Sequence, residues 1–141
     1  MSYSFYSFYS LIFVIFIALL VIDLPMVSYL YNKLYYKMYE NINRGQPLDK
    51  KRTIMSGIFV YIMMAVGIYV FVVKPGIDSN SSLSAIFIKG MILGAVISVV
   101  YDMTNVAAIA NFGVKEAFVD IIWLTFSCGM ISVVATYFSR N

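Results

Sequence analysis

Apolar residues along this chain come in four long blocks, roughly residues 9–30, 54–73, 84–110 and 116–138, with the charged residues gathered mostly between them. The apolar positions fill these blocks rather than recurring at amphipathic spacing. Each block has about the 20 residues that an α-helix needs to cross a hydrocarbon core of about 30 Å. The pattern predicts an all-α fold, an integral membrane four-helix bundle, with residues 1–141 forming a single transmembrane domain. Composition agrees: the chain is 62% hydrophobic and 12% charged, and a soluble domain of 141 residues could not hide that much apolar surface.

Helix breakers mark the expected boundaries. Lys74-Pro75-Gly76 is expected to stop the second helix, since proline donates no helical hydrogen bond and glycine favours a turn. Asn111-Phe112-Gly113 predicts a tight turn between the third and fourth helices, with Gly113 as the residue just past the helix end. In the connection 31–52, Tyr31, Leu34, Tyr35, Met38 and Ile42 recur at helical spacing opposite Lys33, Lys37 and Arg44, as in a short interfacial helix over residues 31–44.

Charge adds an orientation. The connection 31–52 holds Lys33, Lys37, Arg44, Lys50, Lys51 and Arg52, whereas the segment 74–82 holds one lysine and one aspartate. By the positive-inside rule the first and third connections are cytoplasmic and both termini lie outside. The N-terminal stretch MSYSFYSFYS carries no Lys or Arg and is followed by no clear cleavage site, so it is expected to remain on the mature protein. Its aromatic residues Tyr3, Phe5, Tyr6, Phe8 and Tyr9 suit an interfacial belt. Lys89, within about two turns of the third helix's outer end, is expected to snorkel to the headgroups.

The candidate chemistry is acidic. There is no histidine, which removes the commonest general base and zinc ligand, and the single cysteine, Cys128, permits no intramolecular disulfide. Because the helices alternate in direction, Asp23 near the exit of the first, Asp102 toward the exit of the third and Asp120 near the entrance of the fourth all lie toward the membrane face that carries the basic connection. Gly90, Gly94, Ser98 and Asp102 are spaced by four and form one stripe, continued by Asn105. Small residues so spaced let a neighbouring backbone approach closely, so Asp102 is expected to point into a helix contact. On the fourth helix Asp120 and Trp123 share a face; on the first, Pro25 breaks the backbone ladder beside Asp23. Convergence of Asp23, Asp102, Asn105 and Asp120 would demand a bound cation, a shared proton or basic partners, because an ionised carboxylate costs about 2.5–3.5 kcal/mol at a helix centre in lipid. The architectural explanation is also open, in which the acids complement helix dipoles or bond across a packed interface.

The segments YDMTNVAAI and DIIW resemble the paired signature of a family of small four-helix membrane proteins, domain of unknown function 2177. Tyr101, Asp102, Thr104, Asn105 and Ala107 match its first segment, Asp120 and Trp123 its second, and Asp23 its early acid. Leu124 stands where the pattern has glycine, and Asn111-Phe112 where it has a tryptophan-proline pair. The resemblance implies the four-helix fold and the same polar residues, and no activity. Similar members occur in bacteria and in large DNA viruses of algae and protists; the Asn, Ile, Lys and Tyr richness suggests an AT-rich genome and a viral source.

The leading functional expectation is permeation of a proton, cation or small solute at the Asp/Asn cluster, with Asp102 and Asp120 titrating or coordinating and Asn105 orienting. Four helices leave little room for a pore, so a homo-oligomer joined through the Gly90 and Gly94 stripe is expected with it. The alternative is a membrane-structural or assembly protein, viral in origin, whose polar cluster fixes helix packing and whose basic connection binds anionic lipid. An enzyme is not expected: carboxylates alone can hold Mg²⁺ or Ca²⁺, but no nucleophile stands beside a base and no glycine loop cradles phosphate. No cofactor and no nucleic-acid partner are expected, the bilayer is the expected surrounding, and the identity of any metal stays open.

Overall fold

The computed structural model describes residues 5–140, with side chains from Phe8 onward. Among the described residues every regular element is helical. Helix α1 starts at Phe5 and runs without a break to Ile42; α2 spans Lys50–Asp78, α3 Leu83–Ala108 and α4 Val114–Arg140. All four are long and apolar enough to cross a membrane.

Helix α2 runs past the stop expected from the sequence, and α1, whose ladder is expected to break only locally beside Asp23, shows the physical reason. In α1 the backbone widens to π-helical spacing over Leu19–Asp23, where the N–H of Leu24 bonds the Leu19 carbonyl, and Pro25 follows immediately. In α2 the same happens over Tyr69–Val73, with the Lys74 N–H on the Tyr69 carbonyl and Pro75 just after. Each widened turn accommodates the proline's missing donor, so α2 does not stop at Lys74-Pro75-Gly76 but continues to Asp78. A third π-helical segment, Tyr31–Tyr35, carries α1 straight into residues 36–42, so no break sets the expected interfacial helix apart. Its apolar face is nevertheless turned inward: Tyr35 and Met38 are buried while Lys33 and Lys37 are exposed.

Local chemistry fixes the remaining ends. Asp49 caps α2 by accepting from the Lys51 and Arg52 N–H groups at 2.9 and 3.2 Å, and the Ser82 hydroxyl accepts from the Ala85 N–H at the start of α3. In the third connection the left-handed residue is Asn111, at φ 67°, and not Gly113. Asparagine tolerates that conformation, and at Gly113 the flexible Glu116 side chain lies over the space a Cβ would take. At the N-terminus, Tyr3 and the side chains of Phe5 and Tyr6 lie outside the described residues; Phe8 and Tyr9 pack edge to face at 5.2 Å.

Packing is uneven along the bundle axis. Helices α3 and α4 pack along their length, and three glycines set their separation. A Cβ on Gly90 would lie 2.7 Å from the Cys128 carbonyl oxygen, one on Gly94 2.6 Å from that of Leu124, and one on Gly129 2.8 Å from the Phe87 ring. The Gly90 and Gly94 stripe is thus consumed inside the chain by α4 and is not available to join a second copy, contrary to the expectation above. The hydrophobic core, including Ile15, Leu19, Ile68, Val73, Cys128 and Ile131, lies in the half of the bundle nearer the termini. In the other half α2 stands away: residues 50–56 and 58–60 are all exposed. The bundle is sealed at one end and splayed at the other.

Candidate functional site

Asp23 is the last residue of the first π-helical segment and is only 3% exposed. The Tyr61 hydroxyl of α2 donates to its Oδ2 at 2.8 Å, and the Trp123 indole N–H of α4 donates to its Oδ1 at 2.7 Å. One carboxylate therefore ties three helices, with a donor on each oxygen. A buried acid with a donor on each oxygen is stabilised where it lies and holds the three helices in register.

Asp102 is different. It is 2% exposed, and its Oδ2 is buried without a hydrogen-bond donor among the described residues. The carboxyl group within bonding reach of it is that of Asp120, itself an acceptor. Two facing carboxyl groups hold together only through a proton between them or a cation. Asp120 is oriented from α1, where the Tyr35 hydroxyl donates to its Oδ1 at 3.5 Å. The α1 extension is in turn fastened to the third connection by the Gly113 N–H on the Met38 sulfur at 3.1 Å.

Both acids line a cavity of about 340 Å³ that reaches Leu48 in the first connection and Phe112 in the third. It opens at the end of the bundle that carries the basic connection. A second cavity, of about 650 Å³, lies deeper, lined by all four helices and by Asp23, Tyr61, Tyr101, Asp120 and Trp123. Asp120 borders both. Toward the termini the path ends on the packed core.

Of the polar residues singled out in the sequence, the fold gathers Asp23, Asp102, Asp120, Trp123 and Tyr101 around these two cavities. Asn105 and Thr104 are not brought in: neither lines either cavity, Thr104 is exposed, and the Asn105 carbonyl closes the end of α3 by accepting from the Ile109 N–H. Ser98 is buried, its hydroxyl donating to the Gly94 carbonyl at 2.8 Å. Lys89 is exposed and lines neither cavity. No group of three acids among the described residues is gathered closely enough to ligate a metal ion. Sequence reasoning missed Tyr61 and Tyr35, the hydroxyls that hold Asp23 and Asp120. The signal for Tyr61 was present but shared, since its hydroxyl is one of three in its apolar block, with Ser56 and Tyr69; Tyr35 was concealed by its place in an amphipathic pattern.

A family model described as "Predicted membrane protein (DUF2177)" matches residues 8–137, which takes in all four helices and every acid of the site. Nothing among curated proteins or solved structures matches the chain. Long apolar helices, membrane-level acids and a family match over nearly the whole length agree, and the chain belongs to this family of predicted multi-pass membrane proteins.

Proposed function

We propose that the Asp102 and Asp120 pair is the loading site for a proton or small cation, which enters from the end carrying the basic connection and is passed across the membrane. The observation that supports this reading is the Asp102 Oδ2, buried and without a donor beside a second carboxyl group in a cavity reaching that end. A carboxyl pair without further acidic ligands suits a proton or a loosely held monovalent cation better than a divalent ion, which takes six or more oxygens. On the positive-inside rule the open end is the cytoplasmic one. No bond of a substrate need be made or broken, so the reading is of a non-enzymatic protein. Asp23 supports a second, architectural role in the same chain: its two donors make it a tie between helices.

The test is flux into proteoliposomes under a pH gradient and, separately, a potassium gradient, for wild type and Asp102→Asn. Transport under one gradient, lost in the variant, supports the reading and identifies the cargo. Absence of flux under both gradients refutes it.

A further inference from the structure

Three cavities meet at Val27 and Thr53, which line all of them. Besides the two described, a cavity of about 750 Å³ lies between the α1 extension and the start of α2. Together they make a groove with a polar mouth and a mainly apolar depth. The mouth carries Glu40 and Lys50 together with the amides of Asn32, Asn43 and Gln46. Glu40 and Lys50 face this one cavity, and neither forms an ion pair among the described residues. The depth is mainly apolar, with Leu20, Leu24, Ile58, Met64 and Ile97 along its walls and the carboxyl groups of Asp23 and Asp120 at its α1 and α4 side. It lies in the splayed half, where the first part of α2 leaves α3 and lipid can enter from the side.

We propose that this groove binds one zwitterionic phospholipid with a primary ammonium headgroup, its acyl chain entering laterally between α2 and α3. Charge complementarity selects the headgroup. Lys50 offers a cation to the phosphate and Glu40 an anion to the ammonium, whose three donors also suit the amide oxygens at the mouth. An anionic headgroup would satisfy Lys50 but bring like charge to Glu40. The proposal concerns the bilayer's own lipid and does not depend on transport at Asp102.

The experiment uses the full chain in vesicles of equal phosphatidylethanolamine and phosphatidylglycerol, with one lipid at a time carrying a photoactivatable acyl chain and the crosslinked peptides mapped by mass spectrometry. The ethanolamine lipid is expected to label the Ile54–Met64 and Ile97–Tyr101 segments about fivefold or more above the glycerol lipid, the ratio that one charge-assisted contact supplies. Gly57→Phe should remove that label while labelling near exposed Ile92 and the thermal midpoint stay unchanged, because a Cβ on Gly57 meets nothing within 4 Å. Glu40→Lys, at an exposed position, should shift the preference toward the glycerol lipid. Equal labelling by both lipids, or labelling that survives Gly57→Phe, overturns the proposal. So does a disulfide-linked dimer from Gly57→Cys, which would show a second copy covering the groove.

Discussion

Asp23 and Asp102 are almost equally buried, at 3% and 2% exposure, yet Asp23 receives a donor on each oxygen and Asp102 Oδ2 receives none. That difference predicts opposite responses to mutation. Trp123→Phe leaves the Asp23 Oδ1 buried without its donor and should destabilise the protein by about 1–2 kcal/mol, near the upper end for interhelical polar contacts in membranes because the acceptor is a carboxylate. Tyr61→Phe should cost a similar amount through Oδ2, and the double variant should depart from the sum because both donors serve one acid. Thermal unfolding in detergent measures all three. The acids themselves, and Trp123, were legible in the sequence because a polar side chain in an apolar block is conspicuous. Which acid was satisfied was not legible, because helix rotation and the positions of Tyr61 and Tyr35 arise only in the packed bundle.

Helices α3 and α4 approach closely because Gly90 and Gly94 carry no side chain where the α4 backbone lies, and Gly129 none where the Phe87 and Met91 side chains lie. Gly90→Leu would force the two helices apart and should cost about 1–3 kcal/mol or more. Gly67→Ala is the matched control: its Cβ meets nothing within 4 Å, and alanine is favoured over glycine in a helix by about 1 kcal/mol, so stability should hold or rise. A loss of similar size in both variants would contradict the assignment of this contact. Spacing by four made the stripe readable without coordinates, since it fixes which residues share a face. The helix ends were harder to read. Pro75 looks like a breaker, and only the π-helical turn before it, matched by the one before Pro25, explains why it does not end its helix.

Taken whole, the bundle is packed toward the termini and open toward the basic connection, and this asymmetry makes access one-sided. Cys128 is fully buried, so a cysteine introduced elsewhere reports cleanly. Thr53→Cys, which borders all three cavities, should react with a membrane-impermeant maleimide added on the basic-connection side and not on the other. Val72→Cys, in the sealed half, should react from neither side. Reaction of Thr53→Cys from the terminal side would contradict the one-ended arrangement. The four spans and the common side of the three acids followed from block length and alternation alone. The splaying of α2 did not, because an apolar helix reads alike whether its neighbour is protein or lipid.

The most direct measurement is made on Asp102→Asn, with thermal midpoint and ion flux taken from the same reconstituted preparation. An amide at this position can donate to Asp120 and supplies the missing donor, so the variant should be at least as stable as wild type, by up to about 1 kcal/mol, while flux is lost. A variant that melts lower than wild type, or that still conducts, would contradict the reading of Asp102 as a group kept unpaired for its cargo.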